Sequence, residues 1–241
     1  MAKSELLYEG KAKQIYATDD PGIVLIRYKD SATAFNGEKK AIIEGKGRLN
    51  NEITSLLFNW LHNEGIESHF IKKISETEQL VKRVTIIPLE VVVRNVPAGS
   101  FSKRVGVKEG IPFKRPIVEF YYKDDNLGDP LITEDHIEIL NLAAPVDVGI
   151  LKKHSLLVNE KLQNLFASLD IRLIDFKLEF GKDEEGNIVL ADEISPDTCR
   201  LWDLHTDEKL DKDVFRRDLG SITDAYQKIL AKLEGVQHVQ G

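Results

Sequence analysis

The sequence predicts an α+β protein of two lobes, with an N-terminal antiparallel-sheet lobe, a larger mixed α/β lobe and a cleft between them. Three observations predict it. The first 40 residues hold short alternating runs separated by turn residues. Apolar residues at helical spacing fall in three separate blocks instead of following every strand, which disfavours a doubly wound parallel sheet. The long apolar run Thr85–Arg94 then opens a second set of strands, so the lobes are divided as 1–84 and 85–241.

In chain order, Leu6–Glu9, Ala12–Thr18 and Ile23–Lys29 read as strands, punctuated by Gly10 and by Asp19-Asp20-Pro21-Gly22. Leu49, Ile53, Leu56, Leu57, Trp60 and Leu61 recur at helical spacing, and Gly65 supplies a stop. Two strands follow at His69–Ile74 and Gln79–Arg83. Leu151, Val158, Leu162, Leu165, Phe166 and Leu169 form a second helical stripe. Ile171–Phe180 and Ile188–Ile194 make a hairpin that turns within Asp183-Glu184-Glu185-Gly186-Asn187. Ile222, Tyr226, Ile229, Leu230 and Leu233 mark a closing amphipathic helix.

A chain of 241 residues can bury a substantial core. Its net charge of −7 argues against a general nucleic-acid binder, which needs a basic footprint on phosphates. The single cysteine, Cys199, allows no intrachain disulfide and suits a reducing cytoplasm. The start, MAKSELLYEGKAKQIY, has no apolar signal-peptide core, and no stretch approaches the roughly 18 apolar residues of a membrane helix. The expectation is a cytoplasmic protein that binds neither nucleic acid nor membrane.

The densest chemical signal is Ile174-Asp175-Phe176-Lys177-Leu178-Glu179-Phe180-Gly181. On a strand, Ile174, Phe176, Leu178 and Phe180 share the core face while Asp175, Lys177 and Glu179 share the other. The hairpin sets Asp192 opposite or almost opposite Glu179. Two carboxylates so close need a cation or a proton between them. Magnesium with nucleotide phosphates satisfies that need, and so does a solvated face with a cross-strand lysine. In Leu89–Arg94, an apolar strand expected to be buried on both sides, Glu90 and Arg94 lie on one face and either pair diagonally or serve a ligand. Gly99-Ser100 close by suits a phosphate seat.

Weaker signals are Lys11 and Lys13 beside the Gly10 turn, and Asp197 and Arg200 in the segment after the hairpin. Cys199 reads as structural, and His69, His154 and His205 show no metal-ligand spacing. The polar run Tyr122–Pro130 reads as a surface connection.

Together these residues resemble the SAICAR synthetase family. Ile86 to Ser100 is similar to its first signature and Ile174 to Gly181 to its second, and the likeness runs from Gly10–Lys13 to Phe215-Arg216. The resemblance implies a two-lobed fold related to ATP-grasp enzymes and, more distantly, to protein kinases. It implies an active site in the cleft, ATP with Mg2+ between the lobes, and a homodimer. It also implies residue roles. Lys11 and Lys13 contact phosphates, and the segment from Lys82 to Val84 meets the adenine. Glu179 and Asp192 serve the nucleotide and its metal. Arg94, Ser100 and Arg200 hold the phosphate of an imidazole ribonucleotide, and Asp197 its ribose. Glu90 and Asp175 lie near its carboxylate and an associated metal, with Asp175 and Lys177 taken as catalytic. Lys123, Asp129, Lys177 and Arg216 face L-aspartate.

Some family members carry an acidic residue in the loop where Ala34-Phe35-Asn36-Gly37 stands, so Asn36, an amide, is not assigned as a ligand. The implied activity is ATP-dependent joining of L-aspartate to carboxyaminoimidazole ribonucleotide (CAIR) through an acyl phosphate, as a step of purine biosynthesis. The acceptor of the amine proton stays open. The rival readings are a small-molecule kinase of related fold and a nucleotide sensor without turnover.

Overall fold

The structure, a computed structural model, describes residues 5–34 and 37–237, so Phe35 and Asn36 lie outside the described residues. The first elements are β1 (Leu6–Glu9), β2 (Lys13–Ala17), β3 (Ile23–Tyr28), β4 (Ser31–Ala34), β5 (Lys39–Ile42), α1 (Lys46–Asn63), β6 (Phe70–Lys73) and β7 (Glu78–Lys82). They build an antiparallel sheet in the order β1-β2-β3-β7-β6, with β4 and β5 as a separate pair. Next come β8 (Thr85–Arg94), α2 (Gly99–Val105), β9 (Ile117–Tyr122), β10 (Leu131–Ile132), α3 (Glu134–Ile139), α4 (Pro145–Ser168) and β11 (Ile171–Lys182). The chain closes with β12 (Ile188–Ala191), β13 (Cys199–Asp203), α5 (Asp213–Arg216) and α6 (Ile222–Gln237).

The long strand β11 organises the second sheet. It pairs along one edge with β8, and along the other with β13 at its start and β12 at its end. β9 and β10 extend the sheet beyond β8. Leu89, Val91 and Val93 of β8 and Phe176, Leu178 and Phe180 of β11 enter one large core with α4 and α6. β8 is not buried on both faces as its composition suggested. Glu90 and Val92 are only half-buried, because they face the cleft.

Strand parity breaks at two places. Between Leu173 and Asp175 the pairing with β13 shifts by one residue, so Ile174 leaves the large core and packs with Val96, Ala98 and Trp202. Between Glu179 and Gly181 the pairing with β8 shifts again, and Pro88, which has no N–H for a ladder, lies on the bulged stretch.

The change of sheet at Val84 is not a change of core. The cluster within the first sheet is small, formed by Val24, Ile26, Tyr28 and Val81 with Ile15 against them. Leu49, Ile53, Leu57, Phe58 and Leu61 of α1 instead join the core of the second sheet and meet Ile222, Tyr226 and Ile229 of α6. No helix among the described residues is long and apolar enough to cross a membrane.

Gly181 lets the two sheets meet. A Cβ there would stand 2.5 Å from Val84 Cγ2 and 2.8 Å from Val84 Cβ. Gly181→Ala is expected to destabilise the protein by about 1–3 kcal/mol through overpacking. Adding Val84→Ala should recover most of that loss in urea unfolding; a single variant with an unchanged midpoint would refute the close-approach explanation.

Candidate active site

The chemistry of the cleft is laid out on one face of the second sheet. Register places Arg94 beside Asp175, Val92 beside Lys177 and Glu90 beside Glu179. β9 adds Glu119 beside Val92 and Tyr121 beside Glu90, and β13 sets Arg200 beside Asp175. Asp192 follows Ala191, the cross-strand partner of Glu179. The cleft above this face has a volume of about 750 Å³ and is roofed by residues of β2, β3 and β7.

At one end, lysines are threaded among carboxylates. Lys177 Nζ donates to Glu90 Oε1 at 3.2 Å, to Asp192 Oδ2 at 3.3 Å and to Glu179. Lys123 Nζ reaches Glu179 Oε1 at 2.9 Å. From the opposite sheet, Lys13 binds Asp192 and lies 3.0 Å from Glu193 Oε1. Burial works against each of these ammonium groups, but the carboxylates outweigh it and hold Lys13, Lys123 and Lys177 above the usual lysine range. Burial likewise opposes ionisation of Asp192, yet Lys13 and Lys177 keep its carboxyl well below the ordinary range.

At the other end the cations are arginines. Arg94 donates through Nε to Glu119 at 2.7 Å, through Nη1 to Asp175 at 2.7 Å and through Nη2 to the Tyr121 hydroxyl at 3.1 Å. Arg200 Nη1 donates to both Asp175 oxygens at 3.0 Å, and its Nε reaches Asp213 at 3.2 Å. Arg216 Nη1 donates to the other Asp213 oxygen at 2.8 Å. Gly99, at φ +56°, lets the backbone pass against Arg200, where a Cβ would stand 2.3 Å from Nη2.

A third group surrounds Asp197. Its carboxylate accepts from Lys46 Nζ at 2.5 Å, Asn50 Nδ2 at 3.0 Å and the Tyr226 hydroxyl at 2.5 Å. Lys46 is fully buried at the start of α1.

Of the residues singled out by sequence, Lys11, Lys13, Lys82, Val84, Glu90, Lys123, Asp129, Lys177, Glu179, Asp192, Asp197 and Arg216 line the cleft. Arg94, Asp175 and Arg200 do not. They lie beneath its arginine end, with Asp175 clasped between two guanidinium groups. That clasp leaves Asp175 unsuited to a metal as arranged. Ser100 is exposed on α2, outside the lining. Glu90 and Arg94 are not each other's partners, because Lys177 and Asp175 take those places. Tyr122–Pro130 is more than a surface connection. Lys123, Asp125 and Asp129 border the cleft, and Asp125 accepts from Lys11 at 2.7 Å across its mouth.

Sequence reasoning missed Lys46, His69, Glu193, Lys212 and Asp213. His69 lines the cleft and donates from Nε2 to the Asp192 carbonyl at 3.1 Å; burial lowers its pKa to about 4. Glu193 was within reach, being next to Asp192 at a strand end. Lys46, Lys212 and Asp213 carry no local signal, since what buries them is distant in sequence. Cys199 is buried with its thiol pushed up by desolvation, which fits an inert side chain.

The family model for SAICAR synthetase matches residues 6–233. The chain belongs to the SAICAR synthetase family. A phosphoribosylaminoimidazole-succinocarboxamide synthase of Bacillus subtilis is 66% identical over 239 residues, 99% of this chain and 99% of that relative. Among solved structures, the synthase of Ehrlichia chaffeensis superposes with a TM-score of 0.93 at 51% identity, covering 95% of this chain and 98% of its own. A SAICAR synthetase (Type-2) solved in complex with ADP gives 0.92 at 47% identity, covering 96% and 98%. The α+β, two-sheet architecture is thus that of SAICAR synthetases.

The Asp197 cluster predicts a pH dependence. Burial alone would raise this carboxyl, but Lys212 and Lys46 hold it well below the ordinary range. A depressed folded-state pKa contributes stability above the unfolded value of about 3.9, and that stability is lost as pH falls below it. Asp197→Asn strips Lys46 of its counter-charge and should cost about 3–5 kcal/mol near neutrality. In urea unfolding from about pH 6 to about pH 2.5, the gap between wild type and variant should narrow below about pH 4. A gap constant over that range would show that the charge pair is not what stabilises the cluster.

Proposed function

We propose that the chain is an ATP-dependent carbon–nitrogen ligase that joins L-aspartate to CAIR, yielding SAICAR, ADP and phosphate in de novo purine biosynthesis. The observation that carries the reading is the division of one charged sheet face into a lysine–carboxylate end that lines the cleft and an arginine end that reaches the cleft through Arg216, with Arg94 and Arg200 outside the lining. A nucleotide at the first end and a second anionic substrate towards the other would meet above β11.

A carboxylate resists attack by an amine because oxide is a poor leaving group. Transfer of the γ-phosphoryl group of ATP to the CAIR carboxylate gives an acyl phosphate, whose leaving group is phosphate. Lys11, Lys13 and the Lys82–Val84 segment line the cleft; the two lysines would meet phosphates as point charges and the segment would border the adenine. Glu179 and Asp192 suit Mg2+, since both already converge on one cation, the Lys177 ammonium. No group of three or more metal-binding side chains exists among the described residues, so such an ion would take its remaining ligands from phosphates and water, as magnesium usually does. When bound, the ion neutralises charge on the transferred phosphoryl group.

Lys177, between Glu90 and Glu179, would balance charge where the phosphoryl group moves. Arg94 and Arg200, oriented by Asp175, would hold the ribonucleotide phosphate with Ser100, and Asp197 its ribose hydroxyl. In this reading Asp175 positions arginines and is not a metal ligand. Lys123, Asp129 and Arg216 would receive L-aspartate. The reading extends to a cytoplasmic homodimer, which sedimentation of the purified protein would check.

ADP release with ATP and Mg2+ should require CAIR and L-aspartate together and yield the succinocarboxamide. Release with CAIR alone and a stable phosphorylated product would identify a kinase instead. Glu179→Ala should abolish turnover while leaving the fold intact. Arg94→Ala should weaken CAIR by about 2–4 kcal/mol, because it unpairs a buried charge; a change confined to aspartate KM would place the wrong substrate there.

A further inference from the structure

We propose that Lys212 is the base that takes a proton from the α-ammonium group of the incoming amino acid; the assignment rests on the ligase reading above. The residue sits immediately before α5, and its backbone is fixed. Its N–H donates to Pro196 O at 3.0 Å, and its carbonyl accepts from Phe215 at 3.1 Å and Arg216 at 3.0 Å. The side chain is largely buried and lines the cleft together with Asp197, Thr198 and Arg216.

Lys212 differs from the other buried lysines of the cleft in having no hydrogen-bonded partner. Lys13, Lys123 and Lys177 each donate to a carboxylate. Lys212 Nζ makes no hydrogen bond among the described residues, and the carboxylate within ion-pair range, Asp197, is 3.8 Å away. That carboxylate already accepts from Lys46, Asn50 and Tyr226.

The surroundings bias the proton in the direction the chemistry needs. Burial is the largest influence on Lys212 and disfavours its charge. Asp197 and Glu193 favour the charge, while Lys46 and Arg216 oppose it. The balance leaves its pKa below the ordinary lysine value, opposite in direction to Lys13, Lys123 and Lys177. A neutral amine is therefore more accessible here than at those three positions.

An α-ammonium group has no lone pair and cannot attack. Neutral Lys212 takes one proton from it, and the freed amine adds to the acyl carbonyl. The new C–N bond forms, the C–O bond to phosphate breaks with its electron pair, and the departing phosphate carries off the second amine proton. Lys212 ends as an ammonium and returns its proton to water.

The test uses Lys212→Met and Lys212→Arg with ATP, Mg2+ and CAIR. Each variant is assayed with L-aspartate across pH, and with hydroxylamine near about pH 7.5, where that nucleophile is already neutral. Wild-type turnover with aspartate establishes the ligase; its absence would sink the function reading itself. Both variants are expected to lose about 100-fold or more in kcat with aspartate, with KM little changed. Their residual activity should climb with pH as free amine accumulates. ADP release with hydroxylamine should stay within about threefold of wild type, showing a folded enzyme that still makes the acyl phosphate. Wild-type kcat in Lys212→Arg would overturn the proposal, because a guanidinium supplies charge but no base. A loss confined to the KM for aspartate would overturn it too, as would equal loss with hydroxylamine.

Discussion

The rest of this structure depends on the ammonium of Lys177 standing among three carboxylates on a sheet face that has turned away from water. Glu90 comes from β8, Glu179 from β11 and Asp192 from the residue just past β12. Without a cation at their centre, like charges at such spacing would push the strands apart or take up protons. The pairing therefore sets register as well as charge. Slipping β11 by one residue would turn Lys177 into the hydrophobic core and Phe176 into the cleft. Lys13 repeats the device between lobes, reaching from the first sheet to Asp192 and Glu193 of the second. Closure of the cleft is thus partly electrostatic, while α1 anchors the first half of the chain by apolar burial in the core of the second.

Where local pattern decides structure, the sequence was readable. Alternation in Phe176–Phe180 assigned Lys177 and Glu179 to one face, and the hairpin turn brought Asp192 next to Glu179, one residue past the strict partner. Alternation failed at Ile174, because a bulge is a property of two strands and nothing within one of them announces it. It failed also for β8, where an apolar composition suggested two buried faces and the cleft exposes one. α1 was found from its periodicity, but its partner α6 lies more than half the chain away, so the shared core was hidden.

The same limit explains which site residues were missed. Lys46 looks like any polar residue opening a helix until it meets Asp197, which Asn50 and Tyr226 also hold. Asp213 reads as part of a charged surface run, yet its carboxylate is buried and gathers Arg200, Arg216 and Arg217. Long-range burial turns an ordinary charge into a strongly held one, and burial is not a local property. The segment after the hairpin pointed to Asp197 and Arg200, but not to the distant partners that hold them.

The two ends of the cleft use different cations, and the difference has consequences. Arginine presents a rigid planar fork, and Arg94 and Arg200, outside the cleft lining, are each held by more than one acceptor, so the arginine end of the sheet face is built in advance. Lysine is a point charge on a flexible stem that exchanges partners at little cost. Lys11, Lys13, Lys123 and Lys177 each pair with a carboxylate in this way. Asp192 is held in the left-handed region at φ +59°, a conformation that Asp tolerates better than most residues and that sets its carboxylate between Lys13 and Lys177. Within the cleft, cations of the chain itself therefore keep Asp192 ionised. On the proposed reading, a nucleotide bound at the lysine end would exchange partners with these lysines, which avoids stripping water from bare buried charges.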